Sequence, residues 1–465
     1  MAYNITETTS FKMNQELWNK ILSFDFDHPP SEYGFSTRLA NENFWTRNFT
    51  DQAVLEYKKF MYLAATSDCM VSPSEIIDIV WHQHLIFTQS YQEFCYILGK
   101  QVQHIPSTHN KEDFEKFRQA KERTIKLYER DFDKQPESIW AVNSMFDSLN
   151  LEKARFKLRT FVIAGILTFI CLTAPAYFLL SPIYIHIDNP YFIFGLVSLA
   201  VLTLLTLDFY NRAKLKNIVW GFDSSSFVFD LQPFELVYLK TQKLSDVING
   251  SVNELVANGI IKVNSDMSIE LTRNNATQNN TQLQVTSALS EMGKTFYPKL
   301  LKTLGGKTIF WNIANCMDAF KKYFNKSKKF GYLFYTNFTV LAILLLLSVT
   351  RIATGVLREK PVVQIVIATI VLAVISIVFL LRLTHQISKT TIPNLYRKEI
   401  LPTRQIEENW QWSYFLLGTV VLTSAFVPLI NSIDRTNSSG SNCGTSCGSS
   451  CGSSCSSCGG CGGGD

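Results

Sequence analysis

Five stretches of this 465-residue chain are apolar on every face for the length of a membrane-crossing helix. A hydrocarbon core of about 30 Å takes about 20 helical residues. Thr160–Leu180, Asn189–Leu207, Gly331–Thr350, Pro361–Leu381 and Gln411–Ile430 each meet that length without one charged residue. The fourth is polar only at Gln364, Thr369 and Ser376, and the fifth is opened by the interface residues Trp410, Trp412 and Tyr414. Buried helices of soluble proteins rarely stay uncharged around their whole circumference for so long. The pattern therefore predicts five spans.

Between these stretches the periodicity is that of folded soluble structure. Residues 11–146 read as a helical domain. Within it Ser72-Pro73-Ser74-Glu75 predicts a helix start, with Ser72 at the N-cap, Pro73 in the first turn and Glu75 closing a capping box. Residues 231–272 predict a helix over Pro233–Lys240, a second over Ser245–Asn258, and strands at Ile260–Val263 and Ser268–Thr272. Helix, helix, hairpin is the order of a winged-helix-like unit. From Ser438 to Gly464, 25 of 27 residues are Gly, Ser or Cys. Such a segment has no apolar side chains to offset its chain entropy and is expected to be disordered.

Composition agrees with the span reading. Only 18% of residues are charged, against about 25% in soluble domains, and 46% are hydrophobic. The net charge of +5 is too mild to imply nucleic acid, and residues 231–272 hold only Lys240, Lys243 and Lys262 against five acids. The bases cluster instead beside the spans: Lys153, Arg155, Lys157 and Arg159; Arg212, Lys214 and Lys216; Lys321, Lys322, Lys326, Lys328 and Lys329; Arg382, Lys389, Arg397 and Lys398. By the positive-inside rule, residues 1–159, 208–330 and 382–410 are cytoplasmic, against the dissent of Arg351, Arg358 and Lys360. The polar N-terminus lacks the apolar core of a cleavable signal peptide. Five spans would then place the tail outside.

The chemistry-bearing residues are few. On a helix through Val80-Trp81-His82-Gln83-His84-Leu85, His82 and His84 point about 160° apart and cannot chelate one ion. His84 falls in the stripe Ile77, Val80, Trp81, Thr88 and reads as a core histidine with one hydrogen-bond partner. His82 shares the other face with Asp78 at i,i+4, where a third ligand, His104 or Cys95, would complete a metal site. The competing reading is a solvated acidic face or a plain Asp–His hydrogen bond. The tail carries Cys443, Cys447, Cys451, Cys455, Cys458 and Cys461, whose spacing fits no single zinc framework. Outside the cell they would form disulfides; in the cytoplasm they would bind metal loosely. Gly293-Lys294-Thr295 and Gly306-Lys307-Thr308 lack the earlier glycine of a phosphate loop, and no Gly-x-Ser-x-Gly or His-Glu-x-x-His occurs in a segment expected to fold. No ionisable residue lies mid-span, against an ion-coupled transporter; Asp208 and Arg351 read as snorkelling span-end groups.

Two resemblances follow from these residues. Asp78, Trp81, His82, His84, Leu85, His104 and Pro106 match the Asp-x-x-Trp-His-x-His-Leu helix and downstream His of the N-terminal domain of glycine-rich domain-containing proteins. That resemblance implies a fold and no reaction. Leu231 to Leu239, then Val252 to Ile260, the two spans with Gly355 between them, and the Gly/Cys tail resemble a bacterial multi-pass membrane-protein family of unknown function. It covers residues 150–465. The chain departs from it at Val237, where that family has Ala, and lacks a Gly-Gly after Leu239.

The expected fold is mainly α: a multi-pass membrane protein with an N-terminal helical domain (1–150), spans at 160–180 and 189–207, a winged-helix-like cytoplasmic module (217–320), spans at 331–350 and 361–381, a linker (384–410), a fifth span at 411–430 and the tail (438–465). The expected role is a non-enzymatic scaffold or interaction protein of the bacterial cytoplasmic membrane, with the lipid bilayer and an unidentified protein as partners, no nucleic acid, and no cofactor demanded by any motif. The alternative is a membrane-tethered metal-dependent enzyme using Asp78, His82 and His104.

Overall fold

A computed structural model describes residues 13–105, 111–272, 279–403 and 409–439. The N-terminal part consists of α1 (Gln15–Ser23), α2 (Phe35–Asn43), α3 (Arg47–Thr66), α4 (Glu75–Ile86), α5 (Thr88–Leu98), α6 (Lys111–Phe132) and the single turn α7 (Glu137–Trp140). Side-chain caps set several starts: Asn14 accepts from the Leu17 amide, Thr46 from Phe49 and Ser74 from Ile77. The cap of α4 is thus Ser74, not Ser72. Ser72 and Pro73 lie before the helix, and the Ser72 amide donates to Thr124 Oγ1 at 2.9 Å.

Two long apolar helices follow, α8 (Leu158–Tyr184) and α9 (Asn189–Trp220). The middle part holds α10 (Pro233–Thr241), α11 (Leu244–Ala257), β1 (Ile261–Val263), β2 (Ser268–Leu271), α12 (Asn280–Met292), β3 (Thr295–Phe296), α13 (Tyr297–Gly305) and α14 (Thr308–Asn325). The predicted helix–helix–hairpin order is present. β1 and β2 are antiparallel with Lys262 opposite Glu270, and β3 adds a third antiparallel strand that the sequence reading did not include. Two more apolar helices come next, α15 (Lys328–Leu357) and α16 (Val363–Gln386). The latter runs on through the π-helical turn Ile387–Thr391, the short α17 (Ile392–Leu395) and a second π-helical turn, Tyr396–Ile400.

Four described helices, α8, α9, α15 and the run Val363–Ile400, are long and apolar enough to cross a membrane. The fifth expected span is not one of them. Residues 411–430 are divided into α18 (Trp410–Leu417), a 3-10 turn at Gly418–Val421, and α19 (Val427–Ser439). Gly418, at φ +66°, ends α18 in a conformation that side-chain-bearing residues avoid. The segment lies on the middle part: Tyr414, Phe415, Phe426 and Leu429 are buried, the Tyr414 hydroxyl donates to the Asp246 carbonyl at 2.9 Å, and Asn253 Oδ1 accepts from Thr423. Part of its apolar content thus packs into a protein core, while Leu417 and Val420 stay exposed.

The N-terminal and middle parts, expected as separate units, share one hydrophobic core. Across their boundary the Arg47 amide donates to Glu235 Oε1 at 3.1 Å, Asn48 Nδ2 to the Asp230 carbonyl at 2.8 Å, and Lys307 pairs with Glu32 at 2.5 Å. Together with α18 and α19 they form one head.

The apolar helices are joined by polar groups. Asn211 and Asn337 donate to each other reciprocally at 2.8 Å in full burial, and Ser348 meets Thr369 at 2.5 Å. Such pairs are the usual interhelical fastenings where no hydrophobic force acts. Arg351 does not snorkel. It is buried within α15 and donates to the Tyr184 carbonyl, to the Ile187 carbonyl at 2.5 Å and to Asn189 Oδ1 at 3.0 Å. Its charge thereby answers the carbonyl end of α8.

Candidate metal centre

Helix α4 has two chemically different faces. His84 points into a box of Phe26, Phe35, Tyr57, Tyr91 and Phe94, with no exposed surface. Tyr57 Oη lies 2.9 Å from its Nδ1 and Ser90 Oγ 3.2 Å from its Nε2, so both ring nitrogens are partnered rather than one. Burial lowers its pKa to about 3, which keeps the ring neutral.

The opposite face gathers Asp78, His82 and His104. Asp78 and His82 stand one turn apart on α4. His104 arrives from the segment after α5, which is tied down where Tyr91 donates its hydroxyl to the Val102 carbonyl. The Trp81 indole donates to that hydroxyl at 3.2 Å and sets its ring edge-on to His104, with centroids 4.6 Å apart. These contacts hold the imidazole over Asp78. His104 Nε2 lies 2.9 Å from Asp78 Oδ1 and 3.0 Å from His82 Nε2, and His82 Nε2 lies 3.7 Å from Asp78 Oδ2.

These separations can be compared with a metal's demands. Ligand arms of about 2.0–2.1 Å in a tetrahedron place donors ~3.3 Å apart. The three observed distances bracket that value. A hydrogen-bonded network explains the cluster less completely, because one Nε2–H on His104 cannot point at both the carboxylate and the second imidazole. The donor set, two imidazoles and a carboxylate, suits zinc and other divalent first-row metals. His82 is 58% exposed, Asp78 33% and His104 16%, so the site opens to solvent on the His82 side. Cys95, the other ligand considered, is buried and interacts with Tyr91, away from this face.

Sequence reading missed Glu235. Its carboxylate is buried, accepts from the Gln232 and Arg47 amides, and is pushed up to about 7 by burial. The capping-box spacing of Gln232 and Glu235 was a usable signal, but nothing local showed that α3 would cover it. The pH consequence has a definite sign. The folded state keeps a proton that the unfolded chain releases above the ordinary carboxyl pKa. The associated stability is full below about 4.5 and is lost as pH rises to about 7. In thermal melts, Glu235→Gln should therefore gain on the wild type as pH rises through that window, by up to about 1.4 kcal/mol per unit. A gap independent of pH would contradict the assignment.

Residues 34–135 match the model of an uncharacterised family described as UCP032817-like. The match runs from the Gly34 cap of α2 through the end of α6 and contains all three candidate ligands. It covers less than a quarter of the chain. No curated protein and no solved structure matches. Cys443, Cys447, Cys451, Cys455, Cys458 and Cys461 lie outside the described residues, as does the expected disorder of the tail.

Proposed function

We propose that the chain is a four-span membrane protein whose head binds one divalent transition metal, zinc or a close analogue, through Asp78, His82 and His104. The observation that carries this reading is the convergence of three ligand atoms within 4.8 Å of one another. Two of them come from one helix turn and the third from a separately anchored segment. The role is a non-enzymatic one, a membrane-held binding head. A cleft in the head, of about 410 Å³ and bordered by Trp45, Arg47, Glu235 and Asn312, is lined by none of the three ligands. The enzyme reading keeps one supporting observation, the exposed face of His82, where a metal would have an open coordination position. Zinc at 100 times its dissociation constant should stabilise the head by about 2.7 kcal/mol, read as a rise in melting temperature. Asp78→Ala should remove that rise, and an unchanged rise in the variant would refute the site.

Orientation belongs to the same proposal. The Lys- and Arg-rich flanks favour a cytoplasmic head. With four spans the tail follows α19 on the head's side, opposite to the position that five spans implied. Its cysteines would then be reduced thiols able to bind metal loosely. In a variant with Cys69, Cys95, Cys171 and Cys316 replaced by Ser, a membrane-impermeant thiol reagent should label nothing in intact cells, before or after reduction, and label the tail after lysis. Labelling of intact cells would reverse the topology.

A further inference from the structure

Where the fourth apolar helix meets the head, a groove of about 360 Å³ lies outside the metal centre and the cleft bordered by Trp45 and Glu235. Its lower wall is apolar, Val378 and Leu381, both more than half exposed. Its upper wall carries Arg382, His385 and Lys389. The residues follow one another at helical spacing, so a stripe of hydrocarbon passes directly into a cluster of cations.

The local backbone is unusual at this point. The helix widens into the π-helical turn Ile387–Thr391 immediately after His385 and Gln386. Single π turns within α-helices often mark functional positions. Here the Gln386 carbonyl accepts from Thr390 Oγ1 at 2.7 Å and Thr391 Oγ1 at 3.2 Å, while Ile387 and Ser388 are buried. The turn is thus anchored on its inner side, and Arg382 and Lys389 are left on the outer one.

The bases of this junction fall into paired and unpaired groups. At the same junction Arg212 is paired with Asp208, Lys216 with Glu399, Lys321 with Asp318 and Lys328 with Glu152. Among the described residues Arg382 and Lys389, like Lys214, Lys322 and Lys329, have no acidic partner, and the buried Nδ1 of His385 has no hydrogen-bond partner. An apolar strip ending in two exposed cations without acidic partners complements a single amphiphile with an anionic head.

We infer that this groove binds one anionic phospholipid, with an acyl chain along Val378 and Leu381 and the phosphate among Arg382, His385 and Lys389. The inference rests on the membrane reading and is independent of the metal site. Basic pockets at the cytoplasmic end of spans recognise lipid headgroups in this way, each base contributing about 1 kcal/mol. The test uses the full chain in nanodiscs of phosphatidylcholine, with and without phosphatidylglycerol, followed by native mass spectrometry. The wild type should retain one phosphatidylglycerol in preference to phosphatidylcholine. Arg382→Gln/Lys389→Gln should lose that preference by roughly 30-fold while melting like the wild type in pure phosphatidylcholine. If the double variant fails to fold, Lys389→Gln alone should show a smaller loss. Equal retention of the two lipids, or displacement of the lipid by millimolar inorganic phosphate, would overturn the inference. Failure of the protein to enter nanodiscs would instead overturn the membrane reading.

Discussion

His104→Ala is expected to weaken zinc binding by more than about 100-fold while changing the metal-free melting temperature little. Loss of an outer-shell partner alone costs about 10–100-fold in metal affinity, and His104 would be a direct ligand. Its side chain is mostly shielded, but it lies at the edge of the core, against Trp81 and Asp78. Removing it leaves Asp78 and His82, two donors on one helix, which do not make a site. A calorimetric titration reads the affinity and a thermal melt reads the fold. If zinc affinity is retained, the metal is bound elsewhere.

Trp81→Ala should destabilise the head by about 3–5 kcal/mol. The indole is 5% exposed, packs against Phe60 with centroids 5.4 Å apart, and donates to the hydroxyl of Tyr91. Truncation empties that volume and removes the wall on which His104 rests. The variant should therefore lose both stability and metal affinity, whereas His104→Ala loses only the second. His84→Leu makes the opposite contrast. It leaves the Tyr57 hydroxyl and Ser90 without their partner, at about 1–3 kcal/mol for a buried unsatisfied group, and leaves the metal site intact. Chemical unfolding of the three variants, with metal content measured in parallel, separates packing from ligation.

Much of this was legible in the residues because it depends on local pattern. Four membrane-length helices follow from uncharged runs, and α10, α11 and their hairpin from Pro233, Gly259 and alternating side chains. The split of α4 into a core face with His84 and an open face with His82 follows from helical geometry. What failed depended on distant parts of the chain. An uncharged run has the same composition whether it faces lipid or protein, so Gln411–Ile430 read as a span although Gly418 marked its break. Asn211, placed beyond the second span, acquires its meaning only from Asn337, 126 positions later. Arg351 read as a span-end group because the carbonyls it caps belong to α8. The joining of the two head parts through Glu235, Arg47 and Asp230 left no local trace. For the metal site, residue types and helical spacing supplied Asp78 and His82, and the choice of His104 over Cys95 required the path of the chain between Tyr91 and Val102.

The most direct measurement is the metal content of the full-length protein purified in detergent, with Cys443, Cys447, Cys451, Cys455, Cys458 and Cys461 replaced by Ser so that the tail cannot contribute. After equilibration with zinc and removal of unbound metal, elemental analysis should find one equivalent per chain. The same protein carrying Asp78→Ala and His82→Ala should hold none. Absence of stoichiometric metal in the first protein, or one equivalent persisting in the second, would contradict a metal-binding head.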